Sequence, residues 1–293
     1  MEAEQERVSA GEASVPSLTD LKRQLPSHCF QPSLSKSISF VVKDFLLVAS
    51  LAFSFSFLQD SFPTLAFAIL PFFCFLQGTM FWAIFVLGHD CGHGSFSSSE
   101  KANDFFGHLL HTFILVPFHP WRLSHRKHHK NTGHIDNDEI FYPFRESRRA
   151  RDADQAKRPH HIQNVFYLGF GWLGYLVSGF NGENSHFSVA NNSIYSSDRE
   201  RSLATKSLTL WWIWFSILVV WSYLVGPFVA LVHYWIPLLV FATWLVVVTF
   251  LHHNEPGTTW LSGDRWSYVA GNLISVDRSY GIFESLHHDI GTH

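Results

Sequence analysis

Nineteen of the 293 residues are histidine, and the spacing of several suits metal binding. His89 and His93 flank Asp90-Cys91-Gly92. Four residues apart on a helix, their imidazoles share one face. His125, His128 and His129 repeat the pattern at i, i+3 and i+4. His252-His253, His287-His288 and His293 complete the set. One such pair is a weak signal, but several that converge make a metal site. The donors are imidazole nitrogens. Three scattered cysteines, Cys29, Cys74 and Cys91, make neither a disulfide framework nor a thiolate zinc site. Neither cluster has the glutamate of an H-E-x-x-H zinc protease. Seven or more histidines suit two ions better than one. Imidazole alone suits iron, copper, nickel and zinc alike. Iron is preferred once oxygen chemistry is considered.

Convergence requires elements that bring the clusters together. Only 15% of the residues are charged, against roughly 25% in soluble domains. Asp60 is the sole charge between Phe45 and Gly88, and Ser207–Asn254 has no Asp, Glu, Lys or Arg. A bilayer crossing takes about 20 apolar residues, so each stretch holds two. Breaks at Asp60-Ser61-Pro63 and at Gly226-Pro227 and Pro237 predict spans near 43–60, 64–88, 208–229 and 234–251. Trp211, Trp212, Trp214, Trp221, Tyr234 and Trp235 are candidate interfacial anchors. Phe105–Phe118 is too short to cross, and Ile162–Phe180 is rich in glycine. Both are expected to lie in the interface. The expected fold is all-α and multi-pass, with four transmembrane helices in two hairpins plus interfacial helices and a histidine-rich face.

The topology then does the geometric work. No crossing separates His89/His93 from His125–His129, and two crossings separate the latter from His252/His253. An even number returns the chain to the same face. All Lys and Arg lie outside the hairpin turns, which places that face on the cytosolic or stromal side. A net charge of -3 argues against a nucleic-acid partner. The first 40 residues read as a polar tail and lead-in segment without signal-peptide core or transit character, and 41–293 as one domain.

At this point the sequence resembles the membrane-bound fatty acid desaturases. His89-Asp90-Cys91-Gly92-His93 is similar to that family's H-D-C-G-H box, and His125-Arg126-Lys127-His128-His129 to its H-R-x-H-H box. Gln77–Leu87, Ile114–Pro117, Asn131-Thr132-Gly133, Asn137-Asp138-Glu139, Asp277–Gly281 and His287–His293 match as well. Phe81–Phe96 looks more like the omega-3 branch than the omega-6 branch. In the family a third box, H-x-x-H-H, follows, and its first histidine would be His293. The chain is therefore expected to be a fragment, inactive by itself.

The resemblance implies a di-iron enzyme. With O2 as co-substrate it removes two hydrogens from adjacent methylenes of a fatty acyl lipid and leaves a cis double bond. It implies iron ligands at His89, His93, His125, His128, His129, His253 and His293. His252, His287, His288, Asp90 and Asp138 are possible supporting groups, with Asp136 and Glu139 as further carboxylates able to orient a ring. The remaining histidines, including His108, His111, His119 and His186, read as ordinary polar residues. Partners would be the acyl lipid substrate, membrane lipids and an electron donor, ferredoxin or cytochrome b5. The basic run Arg145–Arg158 is a candidate for meeting lipid headgroups or that donor. The expected membrane is the endoplasmic reticulum or a plastid (thylakoid-type) membrane. The alternatives are an omega-6 desaturase, a hydroxylase of the same family, or, from another class, a histidine-rich metal-ion transporter. A transporter should carry ionisable groups inside its spans.

Overall fold

The computed structural model describes residues 15–138, 140, 160–179, 184–190, 193–254 and 259–292, the side chains of 160–166 excepted. Glu139, the run Arg145–Arg158 and His293 lie outside the described residues.

Among the described residues, eight helices carry the fold. α1 is Leu18–Gln24, α2 Leu34–Ser61, α3 Pro63–His93, α4 Glu100–Phe113, α5 Phe118–Asn131, α6 His160–Ser178, α7 Asp198–Val225 and α8 Pro227–His253. The short α9, Tyr268–Asn272, follows. α2, α3, α7 and α8 are long and apolar enough to cross a membrane. The chain is an all-α, multi-pass membrane protein. α7 shows why a bilayer is needed: Trp212, Ile213, Ile217, Val220, Tyr223 and Leu224 all face outward. Such a patch in water would be an aggregation site.

Three of the four helices overrun the predicted spans at both ends, whereas α7 starts ten residues before 208 but ends at Val225, short of 229, because the turn falls at Gly226-Pro227. The apolar run near 64–88 ends at Gly88, yet α3 continues one more turn. Its hydrogen-bond ladder does not depend on side-chain polarity, and it stops at Gly94. There φ is +82°, and the amide donates to the carbonyls of Asp90 and Cys91. That extra turn puts His89 and His93 on ordered helix. α8 likewise runs on to His253 through a wide turn at Leu231–Trp235.

α3 is the central post. Met80–Leu87 is buried on every side, against α2, α4 and α8. Phe105–Phe118 is not one piece, because the chain breaks at 114–117, where Leu115 adopts φ +57°. Carbonyls exposed by that break must find donors. Trp211 Nε1 donates to Leu115 O at 2.8 Å, Trp214 Nε1 to Phe113 O at 3.2 Å, and the Tyr234 hydroxyl to Phe113 O at 2.6 Å. Three of the predicted interfacial anchors thus serve as internal struts. α6 lies against α8, with Trp172 and Leu176 buried.

A polar clamp fixes α4, α5 and α7 together. His119 Nε2 donates to Asp104 Oδ1 at 2.6 Å, and Lys206 Nζ reaches Asp104 Oδ2 at 2.7 Å. His108 Nδ1 donates to the Asp104 carbonyl at 2.7 Å. The Ser207 hydroxyl, 2.9 Å from His108 Nε2, donates there and accepts the His119 amide at 3.0 Å. Every group is satisfied, so removing one strands the rest. Asp104→Ala is expected to destabilise the fold by about 1–3 kcal/mol, read as a lower thermal midpoint in detergent.

Candidate metal centre

α3 presents His89 and His93 one helical turn apart, and α5 presents His125, His128 and His129. α8 ends at His253, so the fold brings three helix ends to one place. His93 Nε2 lies 3.1 Å from His89 Nε2 and 3.0 Å from His125 Nε2, and His125 Nε2 lies 3.1 Å from His129 Nε2. Ligand atoms of these four residues all fall within 4.8 Å of one another. Beside them, His128 Nε2 lies 3.3 Å from His253 Nε2. Metal–nitrogen bonds of about 2.0–2.1 Å put neighbouring ligands on one ion roughly 3.0–3.4 Å apart. The spacings match, and the donor set is wholly imidazole. The residues fit a metal centre.

The surroundings orient the rings. His128 is 1% exposed and donates Nδ1–H to Asp138 Oδ1 at 2.8 Å, which turns the Nε2 lone pair toward His253. Asp90 is a looser partner, 3.4 Å from His89 Nδ1. Ser275 Oγ stands 3.5 Å from His253 Nδ1. Trp121 stacks on His125 with centroids 4.6 Å apart. Trp121 precedes His125 by four residues, and that helical spacing is the signal that could have flagged it.

The other nominated residues take separate places. His252 meets the Tyr280 hydroxyl, 3.3 Å from its Nε2. His287 is buried among Trp82, Trp244 and Phe283. His288 bonds to Asp44. Asp136 donates its amide to His134 Nδ1. His108, His111, His119 and His186, read from sequence as ordinary polar residues, are buried. Asp104, His108 and His119 also bring three donor groups together. Lys206 already supplies the cation there.

Burial keeps His129 neutral. Burial pushes the His129 imidazole down to about 2, and neighbouring His128, His93, His89 and His253 add to it. A neutral ring is the form that binds a metal. Burial likewise brings His111 to about 3 and His119 and His186 to about 4. Burial raises the Asp104 carboxyl, but the Lys206 hydrogen bond and both histidines outweigh it and hold it low. Such histidines bind protons more readily unfolded than folded. Their stabilising contribution is full above the unfolded value of about 6.5 and falls as pH drops toward 4. The thermal midpoint in detergent is expected to fall between pH 7 and pH 4.5, and to fall less in His119→Gln. A midpoint flat across that window would contradict the burial of these rings.

The comparisons with known proteins span the stretch of chain that carries these residues. The sequence profile of the fatty acid desaturases matches residues 65–293. The chain belongs to the fatty acid desaturase family. It is 42% identical over 283 residues to the acyl-lipid omega-3 desaturase (cytochrome b5) of the endoplasmic reticulum from Arabidopsis thaliana, covering 94% of this chain and 69% of that protein. It is 42% identical over 276 residues to the sn-1 acyl-lipid omega-3 desaturase (ferredoxin) of Nostoc sp. (strain 36), covering 94% and 74%. It is 38% identical over 300 residues to a temperature-sensitive, chloroplastic sn-2 acyl-lipid omega-3 desaturase (ferredoxin) of Arabidopsis thaliana, covering 100% and 66%. The desaturase is an oxidoreductase of fatty acids, and four of its histidines are placed so that they could hold a metal ion.

Proposed function

We propose that the protein is an O2-dependent omega-3 desaturase that converts a linoleoyl to an alpha-linolenoyl group on a membrane lipid, with two iron ions as its cofactor. The observation that carries the reading is the meeting of six imidazoles from α3, α5 and α8 at the ends of membrane-length helices. His89, His93, His125, His128, His129 and His253 would hold the irons, together with His293. An alkyl C–H bond offers no acid, base or nucleophile a handle. When bound, the irons supply the oxidising chemistry that such a bond requires. The balance is one acyl CH2–CH2 unit, one O2, two electrons and two protons giving one cis CH=CH and two waters. The chain's own contribution is to hold His129 neutral by burial, to orient His128 through Asp138 and His125 through Trp121, and to admit an acyl chain from lipid.

The omega-3 position and the acyl-lipid substrate are supported by the names of the matched relatives. Those names carry two donors at the same identity, so the electrons come from a cytochrome b5 or a ferredoxin. The membrane is correspondingly that of the endoplasmic reticulum or a plastid, with the histidines on the cytosolic or stromal face. The test is expression of the full-length protein in a yeast fed linoleate, with each donor supplied in turn. New alpha-linolenate and two irons per chain are expected. A hydroxylated product without a new double bond would sink the reading.

A further inference from the structure

We propose that Asp44 is a positioning residue for desaturation: it anchors His288 and so holds the C-terminal segment 276–292 against the histidine centre. The proposal rests on the reading of that centre given above.

Asp44 lies on α2 and is fully buried. A carboxylate in a membrane-length helix is costly unless paired, and packing of one apolar helix on another calls for none. Its Oδ2 accepts from His288 Nε2 at 2.7 Å, across 244 residues of sequence. Lys43 Nζ stands 3.5 Å from Oδ1, but that lysine is 39% exposed and holds it only loosely. Phe40, one turn earlier on α2, meets the His288 ring edge-on at 5.2 Å. The imidazole is therefore gripped by α2 from two positions.

The backbone beneath it is strained. His288 and Asp289 adopt φ of +52° and +57°, two successive left-handed residues that carry a β-carbon. Such a conformation is costly for a residue with a β-carbon and persists only where its surroundings impose it. The turn is closed by Asp289 N–H to Glu284 O at 3.0 Å and Arg278 N–H to Gly291 O at 2.8 Å. A Cβ at Gly291 would run into the Arg278 carbonyl, so the two ends of the segment touch there.

That turn sends adjacent imidazoles in opposite directions. His288 goes to Asp44. His287 goes inward, fully buried, with no hydrogen-bond partner on either nitrogen among the described residues. The same segment is tied to the end of α8: Val276 N–H donates to His252 O at 3.0 Å, and Arg278 Nε to Leu251 O at 3.3 Å. Tyr280 adds the contact to His252 Nε2. Releasing His288 would relax the turn, and the relaxation reaches the residues beside His253.

The experiment uses the full-length enzyme in lipid. Its variants are Asp44→Asn, His288→Gln, the double variant, and the reversed pair Asp44→His with His288→Asp. Three quantities are read: amide exchange of 276–292, iron per chain, and kcat against KM. Each single variant is expected to speed exchange in 276–292 while leaving α3 protected, and to lower kcat about tenfold with KM unchanged. The double variant should be no worse than either single, and the reversed pair should recover part of the loss. Unchanged exchange and kcat in both singles, or losses that multiply in the double, would overturn the proposal. If Asp44→Asn does not fold, His288→Gln reads the same contact with α2 intact. Absence of iron from the wild type would count against the centre itself, whereas exchange of 276–292 would still decide the anchor.

Discussion

His128→Ala is expected to abolish desaturation, with loss of most bound metal and a well-folded chain left behind. His128 sits at the junction of the site: its Nε2 meets His253, and its ring centroid lies 5.3 Å from that of His129 and 6.2 Å from that of His125. It is the link between the four-histidine group and α8. Asp138→Asn makes a graded version of the same change. An amide at that position can present its NH2 to Nδ1 and favour the wrong tautomer, so metal affinity should fall about 10–100-fold. His128→Ala should exceed that loss. Metal analysis of purified protein, together with fatty acid profiles of the expressing host, checks both. His128→Ala retaining full metal would remove His128 from the centre.

Gly88→Ala carries the second large effect, because it reverses the usual sign. Replacing glycine by alanine within a helix ordinarily stabilises by roughly 0.5–1 kcal/mol. At Gly88 the new Cβ would overlap the ring of His111. That ring has nowhere to go: it is fully buried, stacked on Phe85 at 4.8 Å and set edge-on against Trp121 at 4.7 Å. Overpacking of this kind costs about 1–3 kcal/mol. Because Trp121 stacks on His125, the displacement runs from α3 through α4 into the metal centre. Gly88→Ala should therefore lose both stability and metal. Gly174→Ala, where nothing stands within 4 Å of the new Cβ, should be neutral or mildly stabilising. Equal thermal midpoints for the two variants would refute the packing argument.

The four membrane-length helices and the clustering of the histidines were legible in the sequence for a simple reason. Uncharged runs of membrane length and imidazoles at i, i+3 and i+4 are local patterns, and a helix converts them directly into faces. An even number of crossings then brings the histidines to one side without any coordinates. Helix ends were less legible. α3 and α8 continue past their apolar runs until Gly94 and Asn254, where backbone geometry rather than hydropathy ends them.

The sequence by itself determined that four apolar helices return His89–His93, His125–His129 and His253 to one boundary. Only the tertiary structure decided how the remaining histidines divide. His108 and His119 close a clamp with Asp104 and Ser207, His111 wedges against Gly88, and His288 pairs with Asp44. Asp44 escaped notice because one carboxylate at the margin of an apolar run looks like a solvated end. The physical reason is common to all of them. A ligand set at helical spacing is written within one element, whereas the partner that neutralises a buried ring comes from another element, and its identity exists only once the helices have packed.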